Sequence, residues 1–128
     1  MVKNMKKEKI ESSKVPAAIG PYSQAIKADD FIFVSGQLPV DSNGNMPTTI
    51  EEQTYQSLTN IKHILQEADC DMDNIVKTTV LLSDMNNFSK MNEVYATFFS
   101  DAAPARVCYQ VVALPKNALV EIDAIATK

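Results

Sequence analysis

The stretch from Pro104 to Ala126 limits the folds open to this chain more than any other. It reads P-A-R-V-C-Y-Q-V-V-A-L-P-K-N-A-L-V-E-I-D-A-I-A. Two runs rich in Val and Ile flank a Pro-Lys-Asn break, the pattern of two strands and a turn. Strand side chains alternate between faces. On the first run Val107, Tyr109 and Val111 share a face, with Arg106, Cys108 and Gln110 opposite. On the second, Val120, Ile122 and Ala124 share a face, with Glu121 and Asp123 opposite. Each strand therefore has an apolar side and a side that carries charge.

An arginine in a strand needs a partner for its head. The guanidinium is a planar fork that grips a carboxylate through two parallel bonds. The partner of Arg106 could be Glu121 or Asp123 in a surface pair, worth about 0–1 kcal/mol. The residues alone favour that pair over the carboxylate of a ligand. The register between the strands decides, because a slip of one residue moves Glu121 to the other face.

Upstream, residues 1–9 are expected to form a flexible tail and residues 10–128 a single domain. Lys9–Ser13 is expected as a short first strand, and Val15–Tyr22, with two prolines and a glycine, as a loop. Ser23–Ala28 and Phe31–Ser35 read as strands joined by a tight turn at Asp29-Asp30. The continuous apolar run Phe31–Val34 suggests burial on both faces. Ser35-Gly36-Gln37 then breaks the run, and a glycine there lets a ligand or another backbone come close.

Thr49-Ile-Glu-Glu52 is a capping box that opens a helix running to about Ala68. Thr54, Leu58, Ile61, Leu65 and Ala68 form its packing stripe. His63, the single histidine, lies off the stripe and reads as solvated. Without a second histidine, no metal site is expected. Asp69–Asp73 begins like a calcium loop, but Asn74 and Val80 stand where glycine and glutamate are required, so it reads as a turn. Cys70 within it reads as an exposed thiol. Ile75–Ser83 is the next strand, Asp84–Asn87 a turn, and Phe88–Phe99 a second helix. Its buried face is Phe88, Met91, Tyr95, Phe98 and Phe99, with Asn92 close beside it.

The order of elements gives an α+β, two-layer domain: a mixed β-sheet with two helices on one face. The other face, expected to carry Arg106 and Cys108, then needs a cover. A net charge of −4 argues against nucleic acid as partner. The basic N-terminal residues lack a following apolar run, so no signal peptide and no membrane association are expected. A cytoplasmic location fits, with Cys70 and Cys108 as free thiols.

The chain resembles the RidA (YjgF/UK114) family, the reactive-intermediate deaminases. The resemblance rests on I-G-P-Y-S-Q-A at 19–25, S-G-Q-L-P at 35–39, M-N-E-V-Y at 91–95, P-A-R at 104–106, L-P-K at 114–116 and V-E-I-D-A-I-A at 120–126. It implies a chorismate-mutase-like (YjgF-like) fold and a homotrimer with clefts between subunits. It implies no cofactor, and hydrolysis of short 2-imino acids and their enamines to 2-keto acids and ammonia. Carried over, Arg106 clamps the substrate carboxylate and Glu121 positions or activates water. Tyr22, Ser35, Gly36, Asn92 and Cys108 complete the substrate site. Cys108 is not expected to be a nucleophile, since no histidine stands ready to activate it.

Asp69 and Asn117 occupy positions where the family often has glycine, and both residue types tolerate left-handed backbone. Gln110 removes a possible negative charge from the Arg106 face. Two other functions fit the same residues: a trimer that binds small carboxylates without turnover, and, less well given the acidic balance, an RNA-directed role.

Overall fold

Thr49 starts the longer helix as its sequence predicts. Its hydroxyl accepts from the Glu52 backbone N–H at 3.1 Å and donates to the Glu52 carboxylate at 3.1 Å. Helix α1 then runs Ile50–Gln66. Thr54, Leu58, Ile61 and Leu65 are buried along it, while Ala68 lies past its end and packs on the core partly exposed. Burial of a Leu or Ile contributes about 1.5–3 kcal/mol each, so this stripe anchors the helix layer.

The computed structural model describes residues 6–128. The remaining elements are β1 (Lys7–Ile10), β2 (Ala25–Ala28), β3 (Phe31–Gln37), β4 (Ile75–Leu82), α2 (Phe88–Ala96), β5 (Ala105–Gln110) and β6 (Val120–Thr127). Residues 1–5 of the expected tail lie outside the described residues. Its other end is strand: β1 begins at Lys7 and pairs antiparallel with β2 from Lys7 opposite Ala28 to Ile10 opposite Ala25.

One mixed sheet runs β1-β2-β3-β6-β4-β5, with β4 and β5 parallel and every other pair antiparallel. Both helices pack on one face, giving the expected α+β two-layer fold. The two runs around Pro-Lys-Asn are both strands, yet they are not neighbours. β4 lies between them, and α2 makes the crossover that a parallel β4–β5 pair requires.

The face assignment on β5 is the reverse of the expectation. Arg106 and Cys108 point toward the helix layer, while Val107 and Tyr109 are 42% and 50% exposed on the open face. On β6, Val120, Ile122, Ala124 and Ala126 are buried under the helices. Phe31 and Phe33 are likewise not buried on both sides: they are 47% and 46% exposed on the open face, whereas Ile32 and Val34 enter the core. Helices cover only one face of β3, so the run alternates.

Two smaller expectations also change. Cys70 is buried: its N–H bonds back to the Leu65 carbonyl at 3.0 Å, which folds it under the end of α1. His63 is only half in solvent, and its Nδ1 is buried without a partner. Burial, then the nearby Lys14 and Lys62 charges, pushes its pKa down. The turns at Asp69 and Asn117 are left-handed, both with φ of 57°.

Candidate active site

The strand register places Arg106 beside Thr78 of β4, which in turn lies beside Ala124 of β6. All three face the helices. Arg106 therefore meets α2, and three residues of that helix receive it. Phe88, Asn92 and Tyr95 stand at i, i+4 and i+7, on one helical face. Arg106 Nη1 donates to Asn92 Oδ1 at 2.7 Å. Its guanidinium carbon lies 4.9 Å from the Tyr95 ring centre and 5.5 Å from that of Phe88. Such cation–π contacts contribute about 0.5–2 kcal/mol. The acceptor is a neutral carboxamide, so one N–H is engaged while the charge stays uncompensated. Among the described residues, no carboxylate pairs with Arg106. The surface pairing with Glu121 or Asp123 does not occur.

Beside the guanidinium lies an open cavity of about 580 Å³, walled by Tyr95, Ala96, Phe99, Ala103 and Pro104 with Asn92 and Arg106. Cys108 follows Arg106 on the same side of β5 and packs partly buried against the core. Burial raises its thiol pKa, and the Arg106 charge opposes this in part. A thiol held protonated is a poor nucleophile.

Glu121 is elsewhere. It lies beside Leu81 of β4, whose other neighbour is Tyr109. This row faces away from the helices, so Arg106 and Glu121 emerge on opposite faces of the sheet. Burial, then the nearby Asp123 charge, pushes the Glu121 carboxyl above the usual range. Gly36 makes room for it. The β3–β6 register shifts between Val34 and Gln37, a bulge centred on Ser35-Gly36. A Cβ at Gly36 would come within 2.9 Å of Glu121 Oε2. No larger residue fits without displacing that carboxylate.

Tyr22 and Gly36 share the wall of a second cavity, about 520 Å³, with Ile19, Gln37 and Lys116. Tyr22 is 55% exposed at its rim. Ser35 ties the loop to the strand instead: its hydroxyl donates to the Ser23 carbonyl at 2.6 Å. The expected residues thus fall into two groups. Arg106, Asn92 and Cys108 lie on the helix side, and Glu121, Gly36 and Tyr22 on the open side and its rim.

Sequence reasoning missed Tyr95 and Phe88 as partners of Arg106, having assigned both to the core. The i, i+4, i+7 spacing with Asn92 was the available signal. It also missed Lys116, which lines the Tyr22 cavity and has a left-handed backbone at φ 60°.

Comparison with known proteins gives this geometry a lineage. A family model described as Endoribonuclease L-PSP matches residues 12–128. A mouse protein named 2-iminobutanoate/2-iminopropanoate deaminase is 51% identical, over 93% of this chain and 90% of its own length. A RutC family protein of Pyrococcus abyssi is 50% identical over 97% of this chain and 99% of its own. The crystal structure of Escherichia coli TdcF with bound serine superposes with a TM-score of 0.92 at 40% identity, covering 94% of this chain and 98% of that one. The E. coli YjgF structure gives the same TM-score and identity, over 94% and 98% of the two chains. With fold and sequence matched along nearly the whole length, the chain belongs to the RidA/YjgF family, that of the Endoribonuclease L-PSP model.

Proposed function

We propose that this chain hydrolyses short 2-imino acids, 2-iminobutanoate and 2-iminopropanoate, and their enamine tautomers, to 2-keto acids and ammonia. The observation that carries the proposal is the uncompensated Arg106 guanidinium, held on two aromatic rings beside an open cavity. The mouse, bovine and human relatives bear that activity as their name. The relative TdcF was crystallised with serine, a small molecule with a carboxylate next to a nitrogen-bearing carbon.

The chemistry asks little of the protein. A protonated imine is already electrophilic at carbon, so catalysis is mainly placement of substrate and water and movement of protons. Arg106 grips the carboxylate through its free N–H groups. A bond to a charged group is worth about 1.5–3 kcal/mol. Water adds to the imine carbon as Glu121 takes its proton, giving a carbinolamine. Glu121 returns that proton to the nitrogen, the C–N bond breaks and ammonia leaves, Glu121 takes the hydroxyl proton as the ketone forms, and that proton passes to ammonia as ammonium. A carboxyl with a raised pKa is suited to both halves of that exchange. Gly36 lies against Glu121 and shares a cavity wall with Tyr22, and Asn92, Ser35 and Cys108 serve as supporting groups.

Arg106 and Glu121 lie on opposite faces of one sheet, so a single copy cannot apply both to one substrate. The reading therefore includes a homotrimer in which each cleft combines the Arg106 side of one copy with the Glu121 side of another. The exposed Phe31, Phe33, Val107 and Tyr109 supply apolar surface for such packing.

The test generates 2-iminobutanoate in place from threonine and a dehydratase, with semicarbazide as a competing trap. Keto-acid release is compared without protein, with this protein and with a folded Arg106→Ala variant. Acceleration that disappears in the variant is the expected result. No acceleration, with 2-iminopropanoate as well, sinks the deaminase reading. Saturable 2-keto acid binding would then favour a carboxylate-binding trimer, which the Arg106 cradle would serve equally.

A further inference from the structure

Arg106 stands on an edge strand, where a long side chain has room to swing. What holds it is a chain of contacts that ends on the neighbouring strand, β4. The guanidinium rests on the Tyr95 ring. That ring leans on Phe99, with centroids 4.9 Å apart. Its hydroxyl lies 2.7 Å from Thr78 Oγ1. Thr78 is fully buried, and it is the β4 residue directly beside Arg106. Strand and helix thus return to the same point: Arg106 and Thr78 are neighbours across two strands, and Tyr95 bridges them from above.

Stability alone does not call for this pair of hydroxyls. Replacing both partners of a buried hydrogen bond by apolar groups of the same shape is nearly neutral, so Val with Phe would fill the space. The pair instead ties down the tilt of the ring on which the cation lies. An arginine fork recognises a carboxylate only when its plane is set.

We propose that Thr78 and Tyr95 are positioning residues for Arg106. Thr78 holds the Tyr95 ring, the ring sets the guanidinium plane, and Asn92 takes Nη1, so the remaining N–H groups face the substrate carboxylate already aligned. The inference rests on reading Arg106 as the carboxylate clamp. Neither hydroxyl touches substrate.

The test measures 2-oxobutanoate affinity by calorimetry, and KM and kcat for imine hydrolysis, on the full chain. The variants are Tyr95→Phe, Thr78→Val and Thr78→Ser, each also made in an Arg106→Lys background. Thermal melts check folding. Tyr95→Phe and Thr78→Val are expected to weaken keto-acid binding about three- to tenfold. KM should rise by the same factor with kcat nearly unchanged, since the clamp is lost equally from ground and transition states. Thr78→Ser, which keeps the hydroxyl, should restore affinity. In the Arg106→Lys background the further loss should vanish, because a compact ammonium has no plane to align.

Wild-type affinity in folded Tyr95→Phe and Thr78→Val overturns the inference, as does an equal loss in the Arg106→Lys background or a failure of Thr78→Ser to restore binding. If the wild type binds 2-oxobutanoate, the variants weaken it through Arg106, and no imine is hydrolysed, the deaminase reading falls and the positioning role stands. A wild type that neither binds the keto acid nor hydrolyses imine overturns both.

Discussion

The two faces of the sheet are built from the same strands and finished differently. On the helix side the row Arg106, Thr78, Ala124, Val34 is roofed by α1 and α2; Thr78 is paired with the Tyr95 hydroxyl, and Arg106 is held by Asn92 through Nη1 with its charge left uncompensated. On the open side the row Tyr109, Leu81, Glu121 has no roof in the single chain. Its carboxylate sits above a glycine and its aromatic ring is half exposed. The helix-side group is thus held in place by the fold, and the open-side group is not. On the proposed function, the catalyst is assembled only when both kinds of face meet.

The sharpest way to break that contrast is to damage one face per chain. Glu121→Gln should lower kcat about a hundredfold or more, and Arg106→Ala should lower kcat/KM about ten- to a hundredfold. Co-expressed, the two variants should regain about a quarter of wild-type activity through random pairing of intact faces. No recovery over the separate variants would mean that one chain supplies the whole site.

Next in size is Gly36→Ala. Its Cβ would meet Glu121 Oε2 at 2.9 Å. Displacing that carboxylate should cost about tenfold or more in kcat, while 2-oxobutanoate affinity, set on the other face, stays within twofold of wild type. Calorimetry alongside steady-state kinetics separates the two.

A smaller effect concerns pH. Burial and Asp123 raise the Glu121 pKa above its ordinary 4.5, so the folded chain binds that proton more tightly than the unfolded one. Its contribution to stability is full below the unfolded pKa and is lost as pH rises through the folded value. Thermal melts of Glu121→Gln and wild type should therefore agree most closely near pH 4, with the variant gaining as pH rises toward 8. A constant difference across that range would remove the inferred shift. The smallest effect is at Cys108, whose raised pKa predicts slow alkylation at neutral pH. Labelling as fast as that of a free thiol would place it in a different environment.

Local structure was legible because local chemistry sets it. The Thr49 cap, the α1 stripe and the strand runs all follow from period and termini. The motifs name the candidate site's residues, but not their geometry. Alternation at Val107 and Tyr109 defines two faces of β5, and only the position of α2 says which one the chain covers. That helix offers Phe88, Asn92 and Tyr95, a seat for a cation rather than for a valine. The two runs around Pro-Lys-Asn look like neighbours because nothing local announces that β4 will lie between them. Cys70 looked exposed among aspartates until the turn at Asp69 carried it under α1.

The position of β6 has a consequence for how the chain is made. It comes last in sequence yet lies between β3 and β4, contributing Ile122 and Ala124 to the core. During synthesis, β3 and β4 emerge long before the strand that joins them, and each carries an unpaired edge in the interval. Most long-range pairing must wait for that segment, so folding is expected to be slow for a domain of this size. The strand that brings Glu121 to the surface is also the one that closes the sheet, so a nascent chain acquires that carboxylate and its cooperativity in the same step.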